Sequence, residues 1–399
     1  MMDPISRIIA ALPLMLAFGA SSGCKPSAKL ASFSQLEYAF SVETANIDGT
    51  RLAYVDVGKG PQTLVLIHGL GSYMPSWRNN VAALSKHARV VALDLPGYGQ
   101  SDKPLAPYSM GYFVAKIRGL LEALDVHHPV LVGHSMGGQI AMTYALQHPE
   151  DVAGLVLASP AGLETFADGE AKWLANAVTP EFTCLASDES IDVRHAGNFH
   201  AIPKDAEFMV ADRIAMKGAA EFADYCVAVS RSVAGMLDGP VHERLGDLTA
   251  PTLVSFGKHD NLIPNPFLHP GSTVRLAKRE VARIPGASLV VLNAGHMAHY
   301  EQADAWNDAV LRFVRNLPIP EPTEESAKGA TATVEQEADP VVAPDPAGDR
   351  EPGPVPEPVS SEVLPDADVP EEQGEQAPSV QAELPGPSAL DPSGTTAGK

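Results

Sequence analysis

Six short, almost uninterrupted apolar segments recur along the chain, and they constrain its fold more than any other feature. They are TLVLIHG (63–69), RVVALDLPG (89–97), PVLVGHS (129–135), VAGLVLASP (152–160), PTLVSFG (251–257) and ASLVVLNAGH (287–296). Short segments that are apolar on both faces are typical of parallel strands covered by helices. The intervals between them show helical periodicity, and repeated strand–helix order predicts an α/β fold with a doubly wound, mostly parallel sheet.

Two further segments and one long interval complete the predicted domain. SQLEYAFSVETA (34–45) and RLAYVDVG (51–58) alternate in polarity, which predicts an antiparallel pair of strands. The interval between Pro160 and Pro251 is far longer than one crossover helix requires, and its segments show helical patterns. We therefore expect a core over residues 40–160 and 248–317, with a helical lid inserted at 161–247.

Residues 318–399 have a different composition from the rest of the chain. They contain 16 prolines, 18 acidic and three basic residues, and no aromatic residue. Such a segment cannot bury enough apolar surface to offset its backbone entropy, so we predict a disordered acidic tail. Most of the chain's net charge of −21 belongs to this segment. Because no basic patch is present to neutralise phosphates, the composition argues against nucleic acid as a partner.

The N-terminal residues 1–24 have the pattern of an export signal. A run of 13 apolar residues from Ile8 to Ala20 follows Arg7, and Ser-Ser-Gly-Cys ends at Cys24. This ending resembles a bacterial lipobox, although Ser21 stands where leucine is usual, and it implies lipidation of Cys24. The alternative is an ordinary signal peptide cut near Ala20. Both interpretations predict export to the cell envelope, with a linker at 25–39. The lipobox interpretation adds a lipid anchor in the membrane.

Export would place Cys184 and Cys226 in an oxidising compartment. Two cysteines in such a compartment can form a disulfide. Two separate buried thiols are equally compatible with their spacing, because free cysteine packs as a small apolar residue. The sequence leaves both alternatives open.

The third apolar segment ends in Gly133-His134-Ser135-Met136-Gly137, and a helical pattern begins directly behind it. A serine between a strand and a helix, with small residues beside it, matches the G-x-S-x-G nucleophile elbow. A serine hydroxyl is a weak nucleophile, and it needs a base that a third group orients. Asp260 and His296 follow the last two apolar segments, which predicts that Ser135, Asp260 and His296 form a catalytic triad.

Five stretches together resemble the α/β-hydrolase superfamily over residues 40–317. They are LVLIHGLGS (64–72), VVALDLPGYGQSDKP (90–104), LVGHSMGGQIA (131–141), LVSFGKHDNLIP (253–264) and LNAGHMAHYEQADAWN (292–307). A nucleophilic serine separates this chain from the dehalogenases and epoxide hydrolases of the superfamily, which attack with aspartate. The resemblance implies an oxyanion hole formed by the amides of Leu70 and Met136. It also implies a reaction that needs neither a cofactor nor a metal ion.

The sequence therefore predicts a serine hydrolase, most simply a carboxylesterase or small lipase that takes a small-molecule ester and forms an acyl-enzyme. Tyr73 and Trp77, close to the oxyanion-hole segment, are predicted to line the substrate pocket. Two alternatives use the same triad, namely a C–C bond hydrolase and a cofactor-free haloperoxidase. A non-catalytic binding protein of the cell envelope is an alternative of another class.

Overall fold

The computed structural model of the protein describes residues 29–318. The export signal, Cys24 and residues 319–399 of the acidic tail lie outside the described residues. Within them, no helix is long and apolar enough to cross a membrane.

An eight-stranded sheet forms the centre of the fold, in the spatial order β1-β2-β4-β3-β5-β6-β7-β8. The strands are β1 (Glu43–Ile47), β2 (Thr50–Val57), β3 (Thr63–Ile67), β4 (Arg89–Leu93), β5 (Val130–His134), β6 (Gly154–Ala158), β7 (Thr252–Gly257) and β8 (Ser288–Leu292). Strand β2 pairs antiparallel with β1 and with β4, and every other pairing is parallel. The predicted fold class, a doubly wound and mostly parallel sheet, is confirmed.

Helices cover both faces of the sheet. The core helices are α1 (Arg78–Leu84), α2 (Met110–Ala123), α3 (Met136–Gln147), α9 (Thr273–Val281), α10 (Ala298–Glu301) and α11 (Ala303–Arg315). Side chains alternate along each strand, so Val65 and Ile67 pack in one apolar layer while Leu64 and Leu66 pack in the other. Burial on both faces explains why the strands read as continuous apolar segments.

Five helices lie between β6 and β7, and this segment is here called the lid. They are α4 (Asp168–Ala177), α5 (Pro180–Cys184), α6 (Asp188–Ala196), α7 (Glu207–Met216) and α8 (Phe222–Asp238). A disulfide joins Cys184 on α5 to Cys226 on α8, with their Cα atoms 5.7 Å apart. This settles the alternative that the sequence left open and ties two lid helices together.

One expectation about the first strand pair needs correction. Residues 34–42 are not part of a strand, and β1 begins only at Glu43. Ser32 and Gln35 instead form a reciprocal capping box that supports a short 3₁₀ helix over Phe33–Gln35. Phe33 is buried against the lid residue Tyr225, with ring centres 5.7 Å apart. Local capping and this contact therefore override the alternating pattern.

Candidate active site

Ser135 lies at the turn between β5 and α3, with φ 52° and ψ −116°. This backbone region is sparsely populated for residues other than glycine, so the surrounding packing must hold it. A Cβ atom at Gly133 would collide with the Gly137 carbonyl, and one at Gly137 would collide with the Ile67 carbonyl. The two glycines therefore let the strand, the turn and the helix approach closely enough to present the serine.

Asp260 and His296 form a buried pair behind the nucleophile. His296 Nδ1 and Asp260 Oδ2 are 2.8 Å apart, and the two side chains are 4% and 0% exposed. The other carboxylate oxygen accepts the backbone N–H groups of Leu262 and Ile263, at 2.8 and 3.1 Å. These bonds fix the carboxylate, which in turn holds the imidazole with Nδ1 as the donor and leaves Nε2 as the acceptor.

Ser135 and His296 line the same cavity. Ser135 Oγ and His296 Nε2 do not form a hydrogen bond with each other within residues 29–318. In unliganded enzymes such catalytic bonds are often long, and they tighten when substrate binds. The arrangement brings a hydroxyl, an oriented imidazole and a buried carboxylate to one cavity.

Residues 68–74, here called the oxyanion loop, follow β3 and border the nucleophile. A Cβ atom at Gly69 would lie 3.2 Å from the Ser135 Cβ, and Leu70 lines the cavity. Met136 is the first residue of α3, and the first amides of a helix have no intrahelical acceptor. The predicted donors Leu70 and Met136 thus flank Ser135 on two different elements.

Three further histidines are completely buried near the site and have lowered pKa values. Burial lowers the pKa of His68 to about 4 and that of His299 to about 3. Burial, reinforced by His299 and His296, holds the pKa of His134 well below its usual value. The rings of His134 and His299 lie 4.5 Å apart, centre to centre. All three imidazoles are therefore neutral near neutral pH.

The cavity above Ser135 has a volume of about 370 Å³, and more than half of the residues that line it belong to the lid, most of these apolar. Two arginines, Arg194 and Arg213, also line it. No Asp or Glu side chain is among the described lining residues, and neither arginine forms a salt bridge within residues 29–318. An acidic protein thus has a cationic wall in its candidate active site.

The two predicted pocket residues have different positions. Tyr73 lines the cavity, and its hydroxyl donates to Asp212 of the lid over 2.5 Å. Trp77 does not line it, and this prediction is corrected. Its side chain is fully buried between the sheet and α11, where it packs on His299 and Trp306 with ring centres 4.3 and 5.8 Å away. Trp77 therefore contributes to the apolar core and does not contact the cavity.

Sequence reasoning missed the lid residues that contact the site. Arg231 of the lid donates to the Ala106 carbonyl over 2.7 Å and does not line the cavity. Arg194 and Arg213 do line it. Nothing in their local sequence distinguishes them from surface arginines, so only the three-dimensional arrangement reveals them.

Comparisons with known proteins identify the family of this chain. Residues 62–182 match the alpha/beta hydrolase fold family. The chain is 31% identical to the 2-hydroxy-6-oxononadienedioate/2-hydroxy-6-oxononatrienedioate hydrolase of Burkholderia vietnamiensis, over 67% of this chain and 93% of that enzyme. A solved structure of a probable hydrolytic enzyme from Pseudomonas aeruginosa PAO1 is similar with a TM-score of 0.66 and 26% identity, covering 72% and 99% of the two chains. A membrane phospholipase A is similar with a TM-score of 0.56 and 26% identity, covering 69% and 87%.

Proposed function

The chain belongs to the α/β-hydrolase family, and from that premise we propose that it is a serine carboxylesterase working through an acyl-enzyme. The observation that carries the proposal is the position of Ser135. It stands at a strained elbow and opens into the same cavity as His296, which the buried Asp260 orients. A hydroxyl in this setting is suited to attack a carbonyl carbon.

In the proposed reaction, Ser135 Oγ attacks the ester carbonyl while His296 Nε2 takes the hydroxyl proton. Asp260 stabilises the imidazolium, and the amides of Leu70 and Met136 bind the oxyanion. His296 then donates the proton to the alcohol oxygen as the C–O bond breaks. A water molecule, deprotonated by the same imidazole, releases the acyl group as a carboxylic acid and restores the Ser135 hydroxyl.

The size of the cavity supports a short or medium acyl group. Its volume of about 370 Å³ is near the lower end of the range of about 300–1,000 Å³ for small-ligand pockets. This favours a carboxylesterase over a lipase that accepts long acyl chains. We expect kcat/KM to fall when the acyl chain of a p-nitrophenyl ester no longer fits the cavity.

The test combines a fluorophosphonate probe with p-nitrophenyl esters of increasing chain length. We expect labelling and turnover by the wild type, and a loss of about 10³-fold or more in kcat for Ser135→Ala. Ser288→Ala is the matched control, since this serine is exposed at the start of β8. Retention of most activity by Ser135→Ala would overturn the proposal. Absence of labelling in the wild type would favour a non-catalytic binding protein.

A second candidate is C–C bond hydrolysis of an acidic substrate. The relative from Burkholderia vietnamiensis is named for dienedioate substrates, and Arg194 and Arg213 supply a cationic wall suited to a carboxylate. The same triad can serve this reaction. Turnover of a dienoic keto acid that exceeds turnover of every ester would make this the primary activity.

We further propose that the protein is exported and that Cys24 carries a lipid anchor. The support is the sequence of residues 1–24, which lie outside the described residues. Cells fed a labelled fatty acid should incorporate it into the wild type and not into Cys24→Ala. Export without incorporation would point to the ordinary signal peptide.

A further inference from the structure

The oxyanion loop is anchored at both ends by the core of the fold. At one end, the Leu95 N–H donates to His68 Nε2 over 3.0 Å. At the other end, the Met74 N–H donates to the Asp94 carboxylate over 2.7 Å. The Leu70 N–H, the proposed donor to the substrate oxyanion, lies between these anchors. Its direction therefore depends on contacts in the middle of the loop.

The contacts of the Gly69 carbonyl determine where the Leu70 N–H points. Both groups belong to one trans peptide, in which C=O and N–H point to opposite sides. The Gly69 oxygen is 3.1 Å from the Ser72 N–H nitrogen, which donates to it, and 2.8 Å from His68 Nδ1. Because His68 Nε2 accepts a hydrogen bond, Nδ1 carries the proton and donates as well. These two hydrogen bonds fix the Gly69 carbonyl, so the Leu70 N–H points away from the Ser72 amide and the His68 ring.

The lid holds the next peptide of the loop. The Ser72 N–H shares a peptide with the Gly71 carbonyl, and that oxygen accepts hydrogen bonds from Arg213 Nη2 and from the Tyr225 hydroxyl, the latter over 3.3 Å. The Arg213 guanidinium lies 4.7 Å from the centre of the Tyr225 ring, a cation–π distance. Gly71 has φ 65°, a conformation that glycine adopts without strain.

Helix α7 contacts the loop through two successive residues. Asp212 accepts the Tyr73 hydroxyl, and Arg213 donates to the Gly71 carbonyl. Tyr73 is 4% exposed, so this connection is largely shielded from solvent. The middle of the oxyanion loop is thus tied to the lid, whereas its ends are tied to the sheet.

We propose that Arg213 is a positioning residue for the oxyanion hole. By binding the Gly71 carbonyl it orients the Ser72 N–H, which fixes the Gly69 carbonyl and, through the shared peptide, the Leu70 N–H. The inference rests on the proposed serine-hydrolase function, because it requires Leu70 as the oxyanion donor. The lid then governs the rate of the chemical step in addition to the choice of substrate.

The test must separate this role from binding of an anionic substrate group by the same guanidinium. We would compare neutral p-nitrophenyl acetate with the anionic mono-p-nitrophenyl ester of succinic acid. Arg213→Met should lower kcat about tenfold or more for both esters, since loss of a whole oxyanion donor costs about 10²–10³-fold. KM for the acetate should change less than about threefold, as expected when only transition-state stabilisation is lost. Arg213→Lys, which keeps a donor, should recover part of kcat.

The matched control is Arg231→Met on helix α8. The Arg231 side chain donates to the Ala106 carbonyl and lies outside the cavity. The kcat and KM of this variant should therefore equal those of the wild type. Tyr225→Phe keeps the ring and removes only the longer bond to Gly71, and we expect a fall in kcat of about threefold. This second variant keeps the proposal falsifiable if circular dichroism shows that Arg213→Met does not fold.

Two outcomes with the esters would overturn the proposal. One is a rise in KM for the succinate ester alone, with kcat for the acetate unchanged, which would make Arg213 a substrate-binding residue. The other is unchanged kinetics for both esters.

The rate of fluorophosphonate inactivation separates this inference from the proposed function. If the wild type is labelled at Ser135 but hydrolyses neither ester, ester hydrolysis is wrong, while inactivation about tenfold slower in Arg213→Met would still support the inference. Equal inactivation rates would overturn it. A wild type that is not labelled at all would overturn both.

Discussion

The sheet core and the lid both contribute to the candidate site, but they place their residues by different means. Ser135, Asp260 and His296 each follow a strand, so the parallel sheet brings them to one edge through its backbone hydrogen bonds. Arg213 and Tyr225 reach the site from helices, and their contacts with the oxyanion loop are made by side chains. In the proposed mechanism the core therefore provides the reactive groups, whereas the lid positions the oxyanion loop through contacts that one substitution can remove.

The largest expected effect lies in the core. Asp260→Asn should leave the fold intact but lower kcat about 10³–10⁴-fold, because an amide no longer holds the His296 tautomer or stabilises the imidazolium. Steady-state kinetics on a short ester measure this, and Asp304→Asn, at an exposed position of α11, is the control. A loss smaller than that of the lid variant Arg213→Met would contradict the division between the two regions.

The next effect concerns the stability of the lid. Replacing Cys184 and Cys226 by serine opens a link between residues 42 apart in sequence, which we expect to cost up to about 4 kcal/mol in the free energy of unfolding. Trp173 lies in the lid, whereas Trp77 and Trp306 are buried in the core. Fluorescence of single-tryptophan variants during urea unfolding should show the lid unfolding at lower urea than the core. Coincident transitions, unchanged from those of the disulfide-bonded protein, would contradict this prediction.

A third prediction concerns the pH dependence of core stability. Burial lowers the pKa of His68 to about 4 and of His299 to about 3, and it also holds the pKa of His134 well below its usual value. The unfolded chain then binds more protons, so stability should fall as the pH drops from about 6.5 to about 4, by up to about 1.4 kcal/mol per pH unit for each histidine. Burial raises the pKa of Asp94 to about 6 and also raises the pKa values of Glu164 and Asp212, and these three carboxyls oppose part of the trend below pH 6.

Urea unfolding at pH 6.5 and pH 5 measures this dependence. His299→Phe should reduce the change in the free energy of unfolding per pH unit by about the contribution of one histidine. The reason is that phenylalanine fills the space beside Trp77 without titrating. An unchanged slope in this variant would show that His299 does not contribute to the acid sensitivity.

The smallest expected effect lies at the mouth of the cavity. Phe182 on α5 lines the cavity and is 51% exposed. Phe182→Ala should raise KM for a hexanoate ester about threefold, through lost apolar contact, and leave the acetate unchanged. Leu185→Ala, at a neighbouring exposed position that does not line the cavity, is the control. An equal change in both variants would indicate a general loosening of the lid.

Most of the core was predictable because its signals are local. An apolar run that ends in Gly-His-Ser-Met-Gly before a helix leaves few conformations for the serine, and the ends of later parallel strands are where its partners must lie. Trp77 was misjudged because a position near the oxyanion loop does not reveal which side a ring faces. Packing against Trp306, which is 229 residues away in sequence, decides that.

The lid contacts could not be predicted from local patterns. The hydrogen bond from Tyr73 to Asp212 spans 139 residues, and that from Arg213 to Gly71 spans 142. Helical periodicity indicates that these segments are helices, but it does not specify which polar side chain faces the core. The disulfide between Cys184 and Cys226 was likewise undecided, because spacing alone does not determine the distance between two cysteines.

The lid is one continuous segment between β6 and β7, so a single exchange of coding sequence could replace it. If it orients the oxyanion loop, exchanging the lid alters substrate preference and turnover at the same time, because a foreign lid lacks the contacts that hold this loop. A chimaera carrying a foreign lid should then bind the donor's substrates yet react slowly with them. Restoring a hydrogen-bond donor opposite the Gly71 carbonyl would be the first step in adapting it.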